Sequence, residues 1–251
     1  MSLWKRAKET LVFQDMSGKV YRMSLKGELL WKAGGKEGTW TDGGAGIGNG
    51  MVSRLATEAS APFHEVFAVN NNLSPERSQQ LGDMVHSPGT VSAYDLDGRL
   101  IWKVTTPRPP NNAPAIGKLR GWNGLSVVVP ICQQVTPRAT CDVYALDASS
   151  GRIRWVFNGP TQQGLFQAGD FEGIFERTLN QVRPMCLPNG WSAPTIAADG
   201  TVFVGQEGGY LYALRDEDGD GRVFGPDEVS FFDTKAAREQ TYTYMKIPGS
   251  L

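Results

Sequence analysis

The sequence predicts an all-β protein, a β-propeller of about four four-stranded blades. Three observations carry this reading. A hairpin pattern recurs four times in 251 residues, three of its copies end in Gly-x-x-x-Trp, and the chain holds 30 Gly and 15 Pro. Gly and Pro are the main punctuators of turns, so this composition suggests many short elements joined by tight connections. Seven Trp and an apolar share of 40% supply a core, which excludes wholesale disorder.

The first hairpin runs Gly18-Lys19-Val20-Tyr21-Arg22-Met23-Ser24-Leu25 and on to Gly27-Glu28-Leu29-Leu30-Trp31. The second runs Gly89-Thr90-Val91-Ser92-Ala93-Tyr94-Asp95-Leu96 to Gly98-Arg99-Leu100-Ile101-Trp102. The third runs Cys141-Asp142-Val143-Tyr144-Ala145-Leu146-Asp147 to Gly151-Arg152-Ile153-Arg154-Trp155. The fourth, Gly209-Tyr210-Leu211-Tyr212-Ala213-Leu214, leads to Gly221-Arg222-Val223-Phe224 and lacks the Trp. In each, apolar and polar residues alternate as in a half-buried strand, a turn follows, and a second strand begins. A large ring at a fixed place in each unit can pack on the neighbouring unit.

A second element also recurs. Trp191-Ser192-Ala193-Pro194-Thr195-Ile196 leads through Asp199-Gly200 into the strand Thr201-Val202-Phe203-Val204-Gly205. Residues 40–50 form a looser copy, and Trp122-Asn123-Gly124-Leu125 opens another before Ser126-Val127-Val128-Val129-Pro130. Each unit thus reads as four strands, and radially repeated four-stranded units are propeller blades. The first unit lacks a convincing opening strand before Thr10, and the last strand lies near residues 229–232.

The hairpins start near residues 18, 89, 141 and 209. A blade needs roughly 40–50 residues, so insertions are expected at 52–64, 75–87 and 160–188, the last with a possible short helix. Phe166, Phe171, Ile174 and Phe175 in that last insertion offer either a partner-binding lip or a cover for the propeller edge. No second domain is read. Residues 1–251 form one propeller unit with a divergent tail at 236–251, where a strand around 241–245 could close the ring on the first unit.

The pattern Val-Tyr-Ala-Leu-Asp-x-x-x-Gly-x-x-x-Trp at 143–155 resembles the repeat of pyrroloquinoline-quinone-type propellers, as does Trp-Ser-x-Pro-x-Ile-x-x-Asp-Gly-Thr-Val-Phe-Val-Gly at 191–205. The resemblance covers about residues 10–234. It implies a propeller fold and is weak for function, because the superfamily holds quinoprotein dehydrogenases, non-catalytic propellers and sensor domains. The usual ring of that family has seven or eight blades. Four units therefore imply a small or open propeller, or part of a larger one.

The sharpest chemical signal lies in the fourth hairpin, whose turn is expanded to residues 216–228. Asp216, Asp218 and Asp220 fall at positions 1, 3 and 5 of a D-x-D-x-D-G loop, with Gly221 at position 6. Arg222 would offer its backbone carbonyl at position 7, Asp227 falls at position 12 and Glu228 follows it. Carboxylates this close repel one another, and a hard cation with oxygen ligands cancels the repulsion. The expected ligands of one structural Ca²⁺ are thus Asp216, Asp218, Asp220, Arg222, Asp227 and Glu228. The bland alternative is a solvated acidic turn.

Other chemistry is weakly supported. The two histidines, His64 and His86, fall in the predicted insertions and read as loop residues. The run Gly44-Ala45-Gly46-Ile47-Gly48-Asn49-Gly50 does not match GxGxxG, and reads as a turn before a strand. Bound pyrroloquinoline quinone is disfavoured, because the family's enzymes carry adjacent cysteines and here Cys132, Cys141 and Cys186 are scattered. Cys132 and Cys141 flank residues 133–140 and are either free buried thiols or a pair facing each other across a hairpin. A disulfide there would imply an oxidising compartment. Asn72-Leu73-Ser74 fits a glycosylation sequon, which matters only if the chain is secreted. With 25 basic and 26 acidic residues, nothing points to nucleic acid. No apolar run is long enough for a transmembrane helix, and no signal peptide is read.

The favoured expectation is a non-enzymatic scaffold or protein-binding module, with partners met on the loop face or insertions, and self-association if the ring is open. The alternatives are a fragment of a quinoprotein-type dehydrogenase and a ligand-sensing propeller domain.

Overall fold

A computed structural model describes residues 10–35, 41, 45–50, 63–71, 88–110, 112–132, 138–139, 141–160, 162–163, 190–206 and 209–234. The predicted insertions lie mostly outside these residues, as do the tail, His86, the sequon and the apolar residues near position 170.

Every regular element among the described residues is a strand. The first sheet joins β1 (Thr10–Gln14), β2 (Lys19–Ser24) and β3 (Leu29–Gly34). The second runs β4 (Gly46–Gly50), β5 (Phe63–Asn71), β6 (Gly89–Tyr94) and β7 (Leu100–Thr106). The third is built from β8 (Ala115–Gly117), β9 (Ser126–Cys132), β11 (Cys141–Asp147) and β12 (Ile153–Asn158). A short pair, β10 (Arg138–Ala139) and β13 (Gln162–Gln163), forms a separate two-stranded sheet. The fourth comprises β14 (Thr195–Ile196), β15 (Val202–Gln206), β16 (Tyr210–Leu214) and β17 (Val229–Asp233). All pairings within the sheets are antiparallel between sequence neighbours of each sheet, the meander of a propeller blade. Among the described residues the first blade comprises three strands; the stretch before Thr10 lies outside them.

Strand assignments differ from expectation at four places. The opening strand of the third blade, β8, precedes Trp122 rather than following it. The glycine run is itself strand β4, paired with β5, rather than a turn. His64 lies on β5, opposite Asn49, rather than in an insertion. Residues 221–224 do not form the outer strand of the fourth blade, which is β17; they belong to the expanded loop. Gly46 of β4 has a packing reason. A Cβ on Gly46 would lie 2.3 Å from the Ile116 side chain and 3.1 Å from the Pro114 carbonyl. The opening strands β4, β8 and β14 lie side by side, and only a residue without a side chain lets the first two approach so closely.

The core is a series of layers between consecutive blades. Val20 and Trp31 of the first blade meet Tyr94 and Leu96 of the second. Val91, Ala93 and Trp102 of the second meet Val127, Val129 and Leu146 of the third. Val128, Val143, Trp155 and Phe157 of the third meet Val202, Val204, Tyr212 and Leu214 of the fourth. Strand alternation puts one set of side chains forward and the other backward, so each internal sheet is apolar on both faces.

The recurrent Trp locks these layers. Trp31 Nε1 donates to the Leu96 carbonyl at 2.6 Å, and its ring lies against Gly98. Trp102 Nε1 donates to the Ala148 carbonyl at 2.8 Å, with its ring against Gly151. Both glycines have positive φ, 80° and 71°, and a Cβ on either would stand 2.8 Å from the indole. A β-bulge precedes each Trp, at Arg22/Met23, Ala93/Tyr94 and Ala145/Leu146. The extra residue re-aims the outer strand, and the ring reaches the next blade's turn. In the fourth blade Ser230 stands opposite Ala213, where the other blades place Trp, and the register there has no bulge.

Cys132 and Cys141 face each other across β9 and β11, with Cα atoms 4.1 Å apart, and are joined as a disulfide. Of the two alternatives, paired or free thiols, the structure shows the pair. It staples the two central strands of the third blade, where Cys141 is fully buried in the layer facing the fourth.

Two expectations follow. Gly151→Ala meets both the left-handed backbone and the Trp102 ring, whereas Gly124→Ala (φ 73°) meets only a contact of 3.8 Å. Gly124→Ala should cost about 1–2 kcal/mol, the left-handed penalty alone, and Gly151→Ala clearly more, measured by urea unfolding. Replacing both Cys132 and Cys141 with Ser should lower stability by about 2–3 kcal/mol, as expected for a short closed loop. Alkylation of the native chain without reductant should leave both unmodified.

Candidate metal site in the fourth blade

The loop between β16 and β17 begins where the Arg215 amide donates to the Glu228 carbonyl at 3.0 Å, closing its base. Inside, Asp216, Asp218, Asp220 and Glu228 cap nearby amides. Asp216 Oδ1 accepts from the Gly219 amide at 3.0 Å, Asp218 Oδ1 from Asp220 at 3.0 Å and Asp220 Oδ1 from Arg222 at 2.7 Å. Glu228 reaches back across the loop, taking the Glu217 amide on Oε1 and the Phe224 amide on Oε2, both at 2.8 Å. Asx-type bonds of this kind favour the tight, repeated turns that the Asp and Gly residues specify.

The result is a convergence of three carboxylates. Asp216, Asp218 and Glu228 each bring one oxygen to within 4.8 Å of the others. Asp216 is buried, Asp218 exposed and Glu228 intermediate. Burial pushes the Asp216 carboxyl upward, bonds from Trp122 and Gly219 oppose that, and repulsion from Glu228 and Asp218 adds to it; the net is above the usual range. A cation would relieve both the burial and the repulsion.

The expected ligands therefore divide. The structure gathers Asp216, Asp218 and Glu228. Asp220 is engaged with the Arg222 amide and is outside the converging group. Asp227 is likewise outside it, so the carboxylate that closes the loop is Glu228, one place beyond position 12. Arg222 forms a parallel bridge to Val156 of β12, flanked by bonds from the Val156 amide to the Gly221 carbonyl and from the Val223 amide to the Val156 carbonyl. The loop is thereby fastened to the third blade.

Sequence reasoning missed the residues on that third blade. Trp122 Nε1 donates to Asp216 Oδ2 at 3.1 Å. The Arg154 guanidinium lies 5.6 Å from the Trp122 ring centre, a cation–π arrangement. Arg154 is buried and donates to Ser126 Oγ, the Asn123 carbonyl and Asp147 Oδ2. Arg120 pairs with Glu217 at 3.2 Å at the exposed rim. The partners lie as much as 94 positions apart in the chain, so no local spacing signals them.

No family model and no curated protein matches the chain. Solved structures do resemble it. BamB from Moraxella catarrhalis matches with a TM-score of 0.45 and 15% identity, over 92% of this chain and 56% of that one. A protein of unknown function from Bacteroides caccae matches with a TM-score of 0.38 and 12% identity, over 86% of this chain and 56% of that one. The C-terminal domain of Pseudomonas aeruginosa PilY1 matches with a TM-score of 0.45 and 13% identity, over 81% of this chain and 38% of that domain. The chain spans little more than half of the first two and well under half of the third.

The Asp147–Arg154 pair gives a pH expectation. Burial pushes the Asp147 carboxyl up, but bonds from Ser149, Arg154 and Ser150 outweigh it and hold the group at about 2, below its ordinary 3.8. A carboxyl lowered on folding stabilises the fold above its unfolded value, and that contribution is lost as pH falls through the folded value. Stability should therefore decline as pH falls from about 4 to about 2. Asp147→Asn should be less stable at neutral pH and lose less across that window, as read by denaturant midpoints at each pH.

Proposed function

We propose that the protein is a non-enzymatic β-propeller scaffold or protein-binding module, with one structural Ca²⁺ held by the acidic loop of its fourth blade. The convergence of Asp216, Asp218 and Glu228 carries the metal reading. Ca²⁺ takes oxygen ligands at about 2.3–2.6 Å, so oxygens on opposite sides of the ion stand about 4.6–5.2 Å apart. Three oxygens within 4.8 Å of each other fit around such an ion. Asp220, Asp227 and the Arg222 carbonyl would supply further oxygens on closure of the loop. The ion's role is structural on this reading, because the loop joins two strands of one sheet and fastens to β12 of the next.

The scaffold reading rests on the blade architecture, whose loops gather binding residues on a rigid frame. The repeat and its docked indoles support kinship with the non-catalytic branch of pyrroloquinoline-quinone-type propellers. The disulfide supports residence in an oxidising compartment.

Ca²⁺ is expected to raise the melting temperature, by an amount equivalent to about 2.7 kcal/mol at a hundredfold excess over Kd. Asp216→Asn combined with Asp218→Asn should abolish the rise, while Arg120→Ala at the rim should leave it. A wild-type chain whose melting ignores Ca²⁺ would overturn the metal reading. Dye reduction by alcohols after addition of pyrroloquinoline quinone and Ca²⁺ would overturn the non-enzymatic one.

A further inference from the structure

We propose that the outer edge of the second blade, strand β7, binds an extended acidic peptide segment, which adds to the sheet as a further parallel strand. The chain itself carries this arrangement one blade further on. The segment around Arg222 lies parallel to β12, the outer strand of the third blade. The Val156 amide donates to the Gly221 carbonyl at 3.1 Å, and the Val223 amide donates to the Val156 carbonyl at 3.0 Å. Both main-chain groups of Val156 therefore face away from the sheet and serve a strand laid along its edge.

The register carries the same geometry to β7. Val156 stands opposite Tyr144, one place past the pairing of Trp155 with Ala145. Lys103 stands opposite Ser92, one place past the pairing of Trp102 with Ala93. The bulge falls at the same step in both sheets. Along an antiparallel strand, residues that exchange both bonds with their opposite alternate with residues that turn both groups away. Lys103, like Val156, is of the second kind. Among the described residues no strand pairs with this edge: β7 ends its sheet, with β6 on its other side. The second blade itself has described blades packed on both of its faces.

The side chains state what the edge accepts. Ile101, Lys103 and Thr105 are exposed and alternate with Trp102, Val104 and Thr106, which are not. Leu100 is 55% exposed and Ile101 40%. Residues 99–106 hold two exposed cations, Arg99 and Lys103, and no carboxylate. Where β12 has Val156 beside an in-chain strand, β7 has a lysine. Lysine on an open edge deters pairing with the same edge of another copy, because like charges oppose each other across the ladder. The same charge attracts a strand that carries carboxylates. The occupant is thus an extended segment in which aliphatic and acidic side chains alternate. Main-chain bonds supply its affinity, and Arg99 and Lys103 select the acidic partner. The site rests on the protein-binding reading of the fold and does not depend on the metal.

The test is residue-resolved amide hydrogen exchange of the whole chain with a short, end-blocked synthetic peptide that alternates Val and Glu. The peptide should slow exchange at the Lys103 amide and leave that of Val156, already paired, unchanged. Methylating the peptide's backbone nitrogens should abolish the effect, because the added strand then lacks its donors. Arg99→Glu combined with Lys103→Glu should weaken the Val-Glu peptide at least tenfold and admit a Val-Lys peptide instead. Both positions are exposed, and unchanged circular dichroism and melting of the double variant confirms folding. Unaltered exchange at Lys103 would overturn the proposal, as would equal binding of the methylated peptide or indifference to the charge reversal. Protection by phosphatidylserine vesicles but not by peptide would assign the edge to a lipid surface. Protection that grows with protein concentration alone would assign it to a second copy. Either result overturns the peptide site. Each of these failures leaves the non-enzymatic reading standing, since that one falls on dye reduction.

Discussion

The seam between consecutive blades is the interaction on which the rest of this structure depends. A single antiparallel sheet of four short strands buries little by itself. These sheets are apolar on both faces, and only stacking removes that surface from water. The indoles of Trp31 and Trp102 give the stacking its register. Each ring covers a left-handed glycine, and each N–H donates to a carbonyl of the same turn, that of Leu96 also accepting from Arg22 Nη1. Burial supplies the stability. The hydrogen bond supplies the single permitted offset, because a ring displaced along the seam loses its acceptor.

How much of this was legible in the sequence follows from which interactions are local. The hairpins were visible because alternation, turn and Gly-x-x-x-Trp all fall within about a dozen residues. The opening strands were less so. β8 is three residues long and β14 two, too short for any period to register. On β4, Gly46 is fixed by its approach to Ile116 and Pro114, so a packing constraint contributes to a run that reads as a turn. The fourth outer strand was visible at residues 229–232, but the Gly-Arg-Val echo at 221–223 also suggested a strand there. In the structure that echo serves the loop.

The candidate site divides along the same line. Asp216 and Asp218 were legible from loop spacing, and Glu228 only as a neighbour of the expected position. Glu228 also caps the Glu217 and Phe224 amides, so the chain's own hydrogen bonding brings it into the cluster. Trp122, Arg154 and Asp147 were not legible as part of the site. They are placed by the third blade's fold. Arg154 is the residue skipped by the bulge that aims Trp155, so its link to Trp122 follows from strand irregularity rather than from spacing.

That irregularity ties the site to the seam. Counting three residues on from Ala93, Ala145 and Ala213 gives Leu96, Ala148 and Asp216. In the second and third blades the residue at this place receives the preceding blade's indole N–H on its carbonyl. In the fourth it is Asp216, whose carboxylate receives the Trp122 N–H and joins the acidic cluster. The expanded loop thus stands at the point where the repeat otherwise makes its docking turn. Anything that orders the Asp216 carboxylate also orders the contact between the third and fourth blades. Neutralising the cluster should act on that seam before it acts on the strands, because the strands are held by their own ladders while the loop's place against β12 rests on a few bonds around Gly221 and Val223.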